Sequence, residues 1–325
     1  MQTIGILGLG RMGAQIARRL HKNNFNVIAW NRSPGPREEF AKLVHSTSSG
    51  SASQTAETPE ELISKLDSPR IIWLMLPAGD LVDELLFGPK ALALSKGDIV
   101  IEGGNSFFRD SQTRAKKLAE RGIHFFDTGT SGGVWGERNG FSIMVGGPKE
   151  IWPQVEPIYK ALAARLPALE GATDGGQAGH ACGLVGPSGS GHFVKMVHNA
   201  IEYGMMEAIA EGFGVLQSSE FKNLDFSQVS QIWSKGSVVS SWLVDLAKNI
   251  FDTEDLDKVV GYIHHTGEGK WTIEEAKKMG LHVPVMIEAF RVRQESEKPE
   301  NQEIFSNKIV ALLRNQFGGH DVKRK

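Results

Sequence analysis

In the first half of the chain, short runs of apolar residues alternate with stretches of helical spacing, and glycines or polar residues close each run. Residues 3–7, 26–30, 70–77, 98–102, 123–127 and 141–147 each read as a buried strand. After Gly13 the apolar positions Ile16, Ala17 and Leu20 repeat at helical spacing. Thr58 with Pro59 and Glu61 reads as a helix start, with a capping hydroxyl, proline at the first position and glutamate at the third. Residues 149–165 also read as helical. Residues 45–58 are rich in serine, threonine and small side chains and read as a loop, and residues 171–191 read as a glycine-rich connection. From about Ser188 onward only helical periods remain. The pattern predicts an α/β Rossmann-type doubly wound sheet over residues 1–187, followed by an all-α domain over residues 188–325.

One helical stretch departs from the usual amphipathic pattern. From Gly189 onward, Lys195, His198, Asn199, Glu202 and Tyr203 fall at i, i+3, i+4, i+7 and i+8, the stripe that apolar residues normally occupy. Most neighbouring positions are apolar, so the spacing predicts a helix buried nearly all round with its polar groups in one line. Buried ammonium, imidazole, amide, carboxyl and phenol groups need partners, and a polar substrate is one such partner. The alternative is a solvated face.

Composition narrows the function. The 325 residues carry a net charge of -2, which gives no electrostatic case for nucleic acid or a membrane surface. The single Cys182 rules out an internal disulfide and fits a reducing compartment. No apolar run reaches the ~18 residues of a membrane span, and nothing resembles a targeting segment. A cytoplasmic location is the expectation. The histidines lack metal-ligand spacing, so no metal is expected.

The glycine motif carries the first chemistry. Gly8-Leu9-Gly10-Arg11-Met12-Gly13 stands between a strand and a helix, the context of a dinucleotide fingerprint. Gly8 permits a tight turn, Gly10 admits a pyrophosphate to the backbone, and Gly13 lets helix and strand pack closely. The helix N-terminus offers free N–H groups to phosphates. At the end of the second strand, Asn31-Arg32-Ser33 stands where an NAD enzyme usually has a carboxylate for the ribose 2′-hydroxyl. A guanidinium and a hydroxyl suit a 2′-phosphate, which favours NADP with NAD as the alternative. Arg32 pointing into solvent is the plain reading. Leu76, Pro77 and Ala78 follow the central strand where a cofactor would pass, and Asn105 closes the next strand as a candidate contact for cofactor and substrate. Successive glycines in Thr128-Gly129-Thr130-Ser131-Gly132-Gly133 suggest an anion-binding concavity.

Residues 191–199, followed by Ile201-Glu202-Tyr203-Gly204, resemble the signature helix of the 6-phosphogluconate dehydrogenase (decarboxylating) family. Glu102-Gly103-Gly104-Asn105-Ser106, Ser131-Gly132-Gly133, Gly269-Lys270-Trp271-Thr272 and the tail from Arg314 to His320 are similar to that family in the same order. The length and Gly133-Val134-Trp135-Gly136 resemble its shorter form. The resemblance implies oxidation of 6-phosphogluconate to ribulose 5-phosphate and CO₂ with reduction of NADP or NAD, in the pentose phosphate pathway or gluconate utilisation. It makes Lys195 the general base and Glu202 the acid that protonates C1 of the enediol. It makes Ser131, Gly132, Gly133, His198 and Asn199 ligands of the carboxylate end and nearby hydroxyls. Tyr203 and Arg293 resemble phosphate ligands, as do Arg314 and His320, which come from the neighbouring subunit in the family. A homodimer or a dimer of dimers with a shared active site follows.

Two positions depart from the longer members. Thr266 stands for a phosphate-binding lysine and Glu268 for a threonine, and a carboxylate near a phosphate repels it unless it faces away. Val134 replaces an acidic residue, as in the short form. The nearest rival is a β-hydroxyacid dehydrogenase of the 3-hydroxyisobutyrate type, which shares the glycine fingerprint and the helix lysine and does not decarboxylate. It has no need of His198, Glu202, Tyr203 or the Arg314 tail. A silent NADP-binding sensor would have no reason to keep Lys195 and Glu202 on one face.

Overall fold

A computed structural model describes residues 2–46, 52–167, 179–264 and 267–325. Thr266 lies outside the described residues, as do residues 47–51 of the expected loop and residues 171–178 of the expected connection. The chain divides into two compact units, Met1–Lys195 and Met196–Lys325.

The first unit alternates strands and helices. Its elements are β1 (Thr3–Leu7), α1 (Arg11–Lys22), β2 (Asn26–Trp30), α2 (Pro34–Ser46), β3 (Gln54–Thr55), α3 (Pro59–Ser64), β4 (Ile71–Leu74), α4 (Asp80–Phe87), β5 (Ile99–Glu102), α5 (Phe108–Ala119), β6 (His124–Ser131), α6 (Gly136–Asn139), β7 (Ser142–Gly146), α7 (Trp152–Leu162) and β8 (Cys182–Gly186). The strands form one sheet in the order β3-β2-β1-β4-β5-β6-β7-β8. Only the β6–β7 pair is antiparallel. Strand order reverses between β1 and β4, so the loops after those two strands meet at the switch point where such sheets bind ligands. Ile4, Ile6, Trp73, Ile99, Ile101 and Phe126 pack on one face of the sheet with Ile16, Ala17 and Leu20 of α1, and Leu7, Ile72, Leu74 and Val100 pack with Leu62 and Leu86 in a second cluster. Thr58 caps α3 by accepting from the Glu61 N–H at 3.1 Å, while the Glu61 carboxylate reaches back to the Glu57 N–H at 2.7 Å.

Three elements differ from the sequence pattern. β3 is only two residues long, inside the expected loop. β8 lies in the expected glycine-rich connection, where Gly183 and Gly186 break up the apolar run that marks a strand. β6 continues through Thr128-Gly129-Thr130-Ser131, paired residue by residue with β7, because the glycine there is needed for packing rather than for a turn.

α8 (Ser190–Gln217) is a single helix of 28 residues. Its start is fixed by Asp127 of β6, fully buried, which accepts the Gly189 N–H at 2.5 Å and the His192 N–H at 2.7 Å. A Cβ on Gly191 would stand 2.4 Å from the Asp127 carbonyl oxygen, so only glycine lets this turn lie on the sheet backbone. The expectation of a helix buried all round does not hold for the single chain: Val194, Ile201 and Met205 are 38%, 49% and 42% exposed. They lie at i, i+7 and i+11, one line along the helix.

The second unit is helical, with α9 (Phe226–Trp233), α10 (Trp242–Thr253), α11 (Glu268–Lys278), α12 (Pro284–Glu295) and α13 (Phe305–Gly318) after α8. Met206, Ala210 and Phe213 of α8 pack with Ala247 and Ile250 of α10 and Ile309, Val310 and Leu313 of α13. No described helix is long and apolar enough to cross a membrane.

Burial pushes the Asp127 carboxyl up to about 7, against the two N–H donors that pull it down. Its folded value stands above its unfolded one, so the retained proton stabilises the fold at low pH and that contribution is lost as pH rises through about 7. Asp127→Asn removes this titration. In urea unfolding, the wild type should lose about 2 kcal/mol relative to Asp127→Asn between pH 5 and pH 7. Parallel pH profiles for the two proteins would refute it.

Candidate active site

The glycine loop joins β1 to α1. Gly8 has φ +104°, and a Cβ there would meet the Met75 carbonyl oxygen at 2.2 Å. A Cβ on Gly13 would lie 2.0 Å from the Gly8 carbonyl oxygen, whereas around Gly10 there is nothing within 4 Å. The two outer glycines therefore serve the fold, and the middle one leaves space beside the backbone. α1 has no side-chain cap and no acid in its first turn, so its N-terminal N–H groups and dipole face an uncontested approach. Arg11 is exposed and Met12 half-buried. These features fit a dinucleotide pyrophosphate.

Asn31 ends β2 and braces this loop. Its Oδ1 accepts the Leu9 N–H at 2.9 Å and its Nδ2 donates to the Ser33 carbonyl at 3.1 Å. Arg32 and Ser33 are exposed. Arg37, which the sequence did not single out, donates to the Asn31 carbonyl at 3.1 Å and pairs with Glu57 at 2.7 Å, which shapes the same corner.

A second residue missed from sequence is Arg114. It is buried on α5 and donates to the Glu102 carboxylate (2.7 Å), the Ser106 hydroxyl (3.2 Å), the Asp83 carboxylate (2.8 Å) and the Gly79 carbonyl (3.3 Å). It thereby ties the segment after β4, where Leu76 is half-buried and Pro77 and Ala78 are exposed, to the segment after β5, where Asn105 is exposed. An arginine among the polar residues of an amphipathic helix gives no sequence signal of such a role.

At the end of β6, the expected concavity shrinks to Gly132 and Gly133, with φ +131° and +52°, because Thr128–Ser131 spend their backbone in the β7 ladder. Ser131 is the last strand residue. Gly129 faces α8, where a Cβ would stand 2.3 Å from the Lys195 Cβ. Lys195 is 8% exposed. One turn earlier, His192 meets the Ser111 hydroxyl at 2.7 Å, and burial pushes its imidazole down to about 3, so it is neutral at pH 7.

In the second unit, α8 carries the remaining predicted groups. His198 Nδ1 lies 3.0 Å from Asn199 Oδ1 and 3.8 Å from Glu202 Oε2. Asn199 Nδ2 donates to Glu268 Oε2 at 2.6 Å. Glu268 thus faces α8. The Arg293 guanidinium stacks over the Tyr203 ring at 3.3 Å from its centroid. Arg293 is fully buried, and its Nε, Nη1 and Nη2 have no hydrogen-bond partner among the described residues. The nearest carboxylate, Glu207, is 3.9 Å away, and burial pushes it up to about 7. Arg314 of α13 is 5% exposed, and burial and then the charge of Arg293 push it down to about 10. Within the second unit, Arg314 feels the charges of Arg293, Tyr203 and Glu202. His320 packs on Gly318, and its carbonyl accepts from Asn315 at 2.8 Å. Arg291 is exposed and paired with Glu288. Among the described residues no group of three or more His, Cys, Asp or Glu could hold a metal ion.

Residues 3–171 match the NAD binding domain of 6-phosphogluconate dehydrogenase, and residues 191–324 match the 6-phosphogluconate dehydrogenase C-terminal domain. The chain is 39% identical to YqeC of Bacillus subtilis over 99% of both chains. It is 36% identical, again over 99% of both, to the NAD(+)-dependent decarboxylating 6-phosphogluconate dehydrogenase of Haloferax volcanii. The NADP(+)-dependent decarboxylating enzyme of Bacillus subtilis is 36% identical over 90% of this chain and 61% of its own length. Among solved structures, Plasmodium falciparum 6-phosphogluconate dehydrogenase superposes with a TM-score of 0.77 at 31% identity, over 90% of this chain and 62% of that one. A 3-hydroxyisobutyrate dehydrogenase from Salmonella typhimurium superposes with a TM-score of 0.68 at 15% identity, over 95% of this chain and 99% of that one, which shows a shared fold.

The open space at Gly10 sets a test. Gly10→Ala should leave the thermal midpoint within about 2 °C of wild type and weaken dinucleotide binding about tenfold or more in calorimetric titration. Gly13→Ala should lower the midpoint clearly, because its Cβ collides with the loop. Equal behaviour of the two variants would refute the division of roles.

Proposed function

We propose that this chain, which belongs to the 6-phosphogluconate dehydrogenase family of oxidoreductases, oxidises and decarboxylates 6-phosphogluconate to ribulose 5-phosphate and CO₂. The observation that carries the reading is the second unit's pair of buried arginines. Arg293 has donors that no described residue uses, and Arg314 stands beside it. A phosphorylated sugar acid brings a phosphate dianion to them in addition to the carboxylate at its reacting end, whereas an unphosphorylated β-hydroxyacid has only the one anionic end. Tyr203 supplies a flat, half-polar wall to the same anion.

The chemistry lies along α8. A nicotinamide dinucleotide, when bound, would supply the hydride acceptor, its pyrophosphate held in the space beside Gly10 at the α1 N-terminus. Lys195, as the general base, takes the proton of the C3 hydroxyl as that carbon is oxidised. The 3-keto acid loses its carboxyl group as CO₂, and the Lys195 ammonium stabilises the enolate oxygen that forms. Glu202, two turns along the same helix, gives a proton to C1 of the enediol. His198 and Asn199 stand between them and orient the hydroxyls. One rigid helix holding base and acid at fixed spacing removes the entropy of assembling them.

NADP is the preferred cofactor in this reading, with NAD the alternative. β2 is followed by exposed Arg32 and Ser33 and by no carboxylate, and Asn31 is committed to the glycine loop. Assembly as a homodimer is supported by the apolar side chains that α8 and α12 expose, among them Ile201, Met205 and Val285. A cytoplasmic location fits the chemistry of the pathway.

Reduced-cofactor formation with 6-phosphogluconate, run with NADP and NAD and with gluconate and 3-hydroxyisobutyrate as controls, tests the reaction. Turnover of 6-phosphogluconate with release of CO₂ is expected, and Lys195→Met should abolish it while dinucleotide binding persists. Turnover of 3-hydroxyisobutyrate alone would overturn the substrate. Arg32→Ala should raise KM for NADP about tenfold or more, the loss of a charged phosphate contact, and leave NAD nearly unchanged. Equal effects on both cofactors would remove the 2′-phosphate role.

A further inference from the structure

α11 opens with a buried acid. Glu268, 5% exposed, is the first residue of that helix, and its Oε2 accepts from Asn199 Nδ2 at 2.6 Å. An ionised carboxylate can only accept. The NH₂ end of Asn199 must therefore face Glu268, and its Oδ1 must point the other way. That Oδ1 lies 3.0 Å from Nδ1 of His198. An amide oxygen cannot donate, so the hydrogen between the two atoms belongs to the ring nitrogen. Glu202 Oε2 is 3.8 Å from the same nitrogen, outside hydrogen-bond range, and favours a proton there without directing it.

We propose that Glu268 is a positioning residue: through the Asn199 carboxamide it holds His198, whenever the ring carries a single proton, in the tautomer protonated at Nδ1, so that Nε2 is the acceptor of the ring. The contact is anchored on both sides. Thr272, one turn along α11, donates its hydroxyl to the Met196 carbonyl at 2.9 Å. Gly269 lies against Tyr203, where a Cβ would stand 2.6 Å from the ring. The first turn of α11 is thus seated on the α8 face that carries Met196, Asn199 and Tyr203. An acceptor at Nε2 suits a substrate hydroxyl and not a carboxylate or phosphate oxygen. Glu268 then favours a substrate hydroxyl over an anionic oxygen at this point of α8. The consequence for substrate rests on the reading of α8 given above, whereas the tautomer does not.

Full-length enzyme with ¹⁵N-labelled histidine tests it, with the His198 signal identified by its loss in His198→Gln. In the wild type at a pH where His198 is neutral, Nδ1 should be protonated and Nε2 bare. Glu268→Gln is isosteric, but its amide can meet Asn199 with either end, so the preference should be lost and a substantial Nε2–H population should appear. KM for 6-phosphogluconate should rise about tenfold while kcat changes less than about threefold, the scale of a lost charged hydrogen bond. Glu268→Thr should lose the tautomer preference likewise and serves if the glutamine variant folds poorly. Persistence of the Nδ1–H tautomer in either folded variant overturns the proposal. If the wild type does not turn over 6-phosphogluconate, the functional reading fails while the nitrogen spectrum still decides this one.

Discussion

Asp127 holds its carboxylate under the first turn of α8 and accepts two of that helix's otherwise unpartnered N–H groups. Helix starts leave such donors unsatisfied, and a buried one is expensive without an acceptor. Here the acceptor comes from a strand and not from the helix's own cap. Position along β6 therefore sets the first turns of α8, from Ser190 to Lys195, at 1.5 Å per residue. Gly129 and Gly191 keep the distance between strand and helix below what any side chain would allow. Lys195 stands where it does because of a carboxylate and two missing β-carbons.

The second unit shows the opposite economy. Its core is apolar across α8, α10 and α13, yet Arg293 lies fully buried with only a π-face and a carboxylate 3.9 Å away. Replacing such a charge by a well-packed apolar side chain is commonly neutral or stabilising. A fold that keeps the Arg293 guanidinium in this condition forgoes stability, as the proposed anion site would require. The raised Glu207 fits the same picture, since its burial disfavours the charge that would otherwise neutralise Arg293.

Much of this was legible in the sequence, for identifiable reasons. β1, α1 and β2 follow the period of their apolar residues and the punctuation of Gly8, Gly10 and Gly13, which are local signals. β3 and β8 were not legible, because a two-residue strand has no period and glycines interrupt Cys182–Gly186. Lys195, His198, Asn199, Glu202 and Tyr203 could be placed on one helix by counting. Their partners could not. Asp127, Arg114 and Glu268 act across 62, 35 and 69 residues of chain on Gly189, Gly79 and Asn199, and no spacing rule reaches that far. The burial of α8 was overestimated because apolar composition does not say which face a neighbour covers.

The corner after β2 separates residues that the fold needs from residues that it merely displays. Asn31 is a structural brace: its carboxamide closes the glycine loop from one side and the next turn from the other. Arg32 and Ser33, next to it, bear no such duty and stand in the open. For protein engineering this is a division between chassis and interchangeable fitting. A redesign of this corner has two adjacent exposed positions to vary, and its boundary is drawn by a side chain already committed to the loop's own backbone.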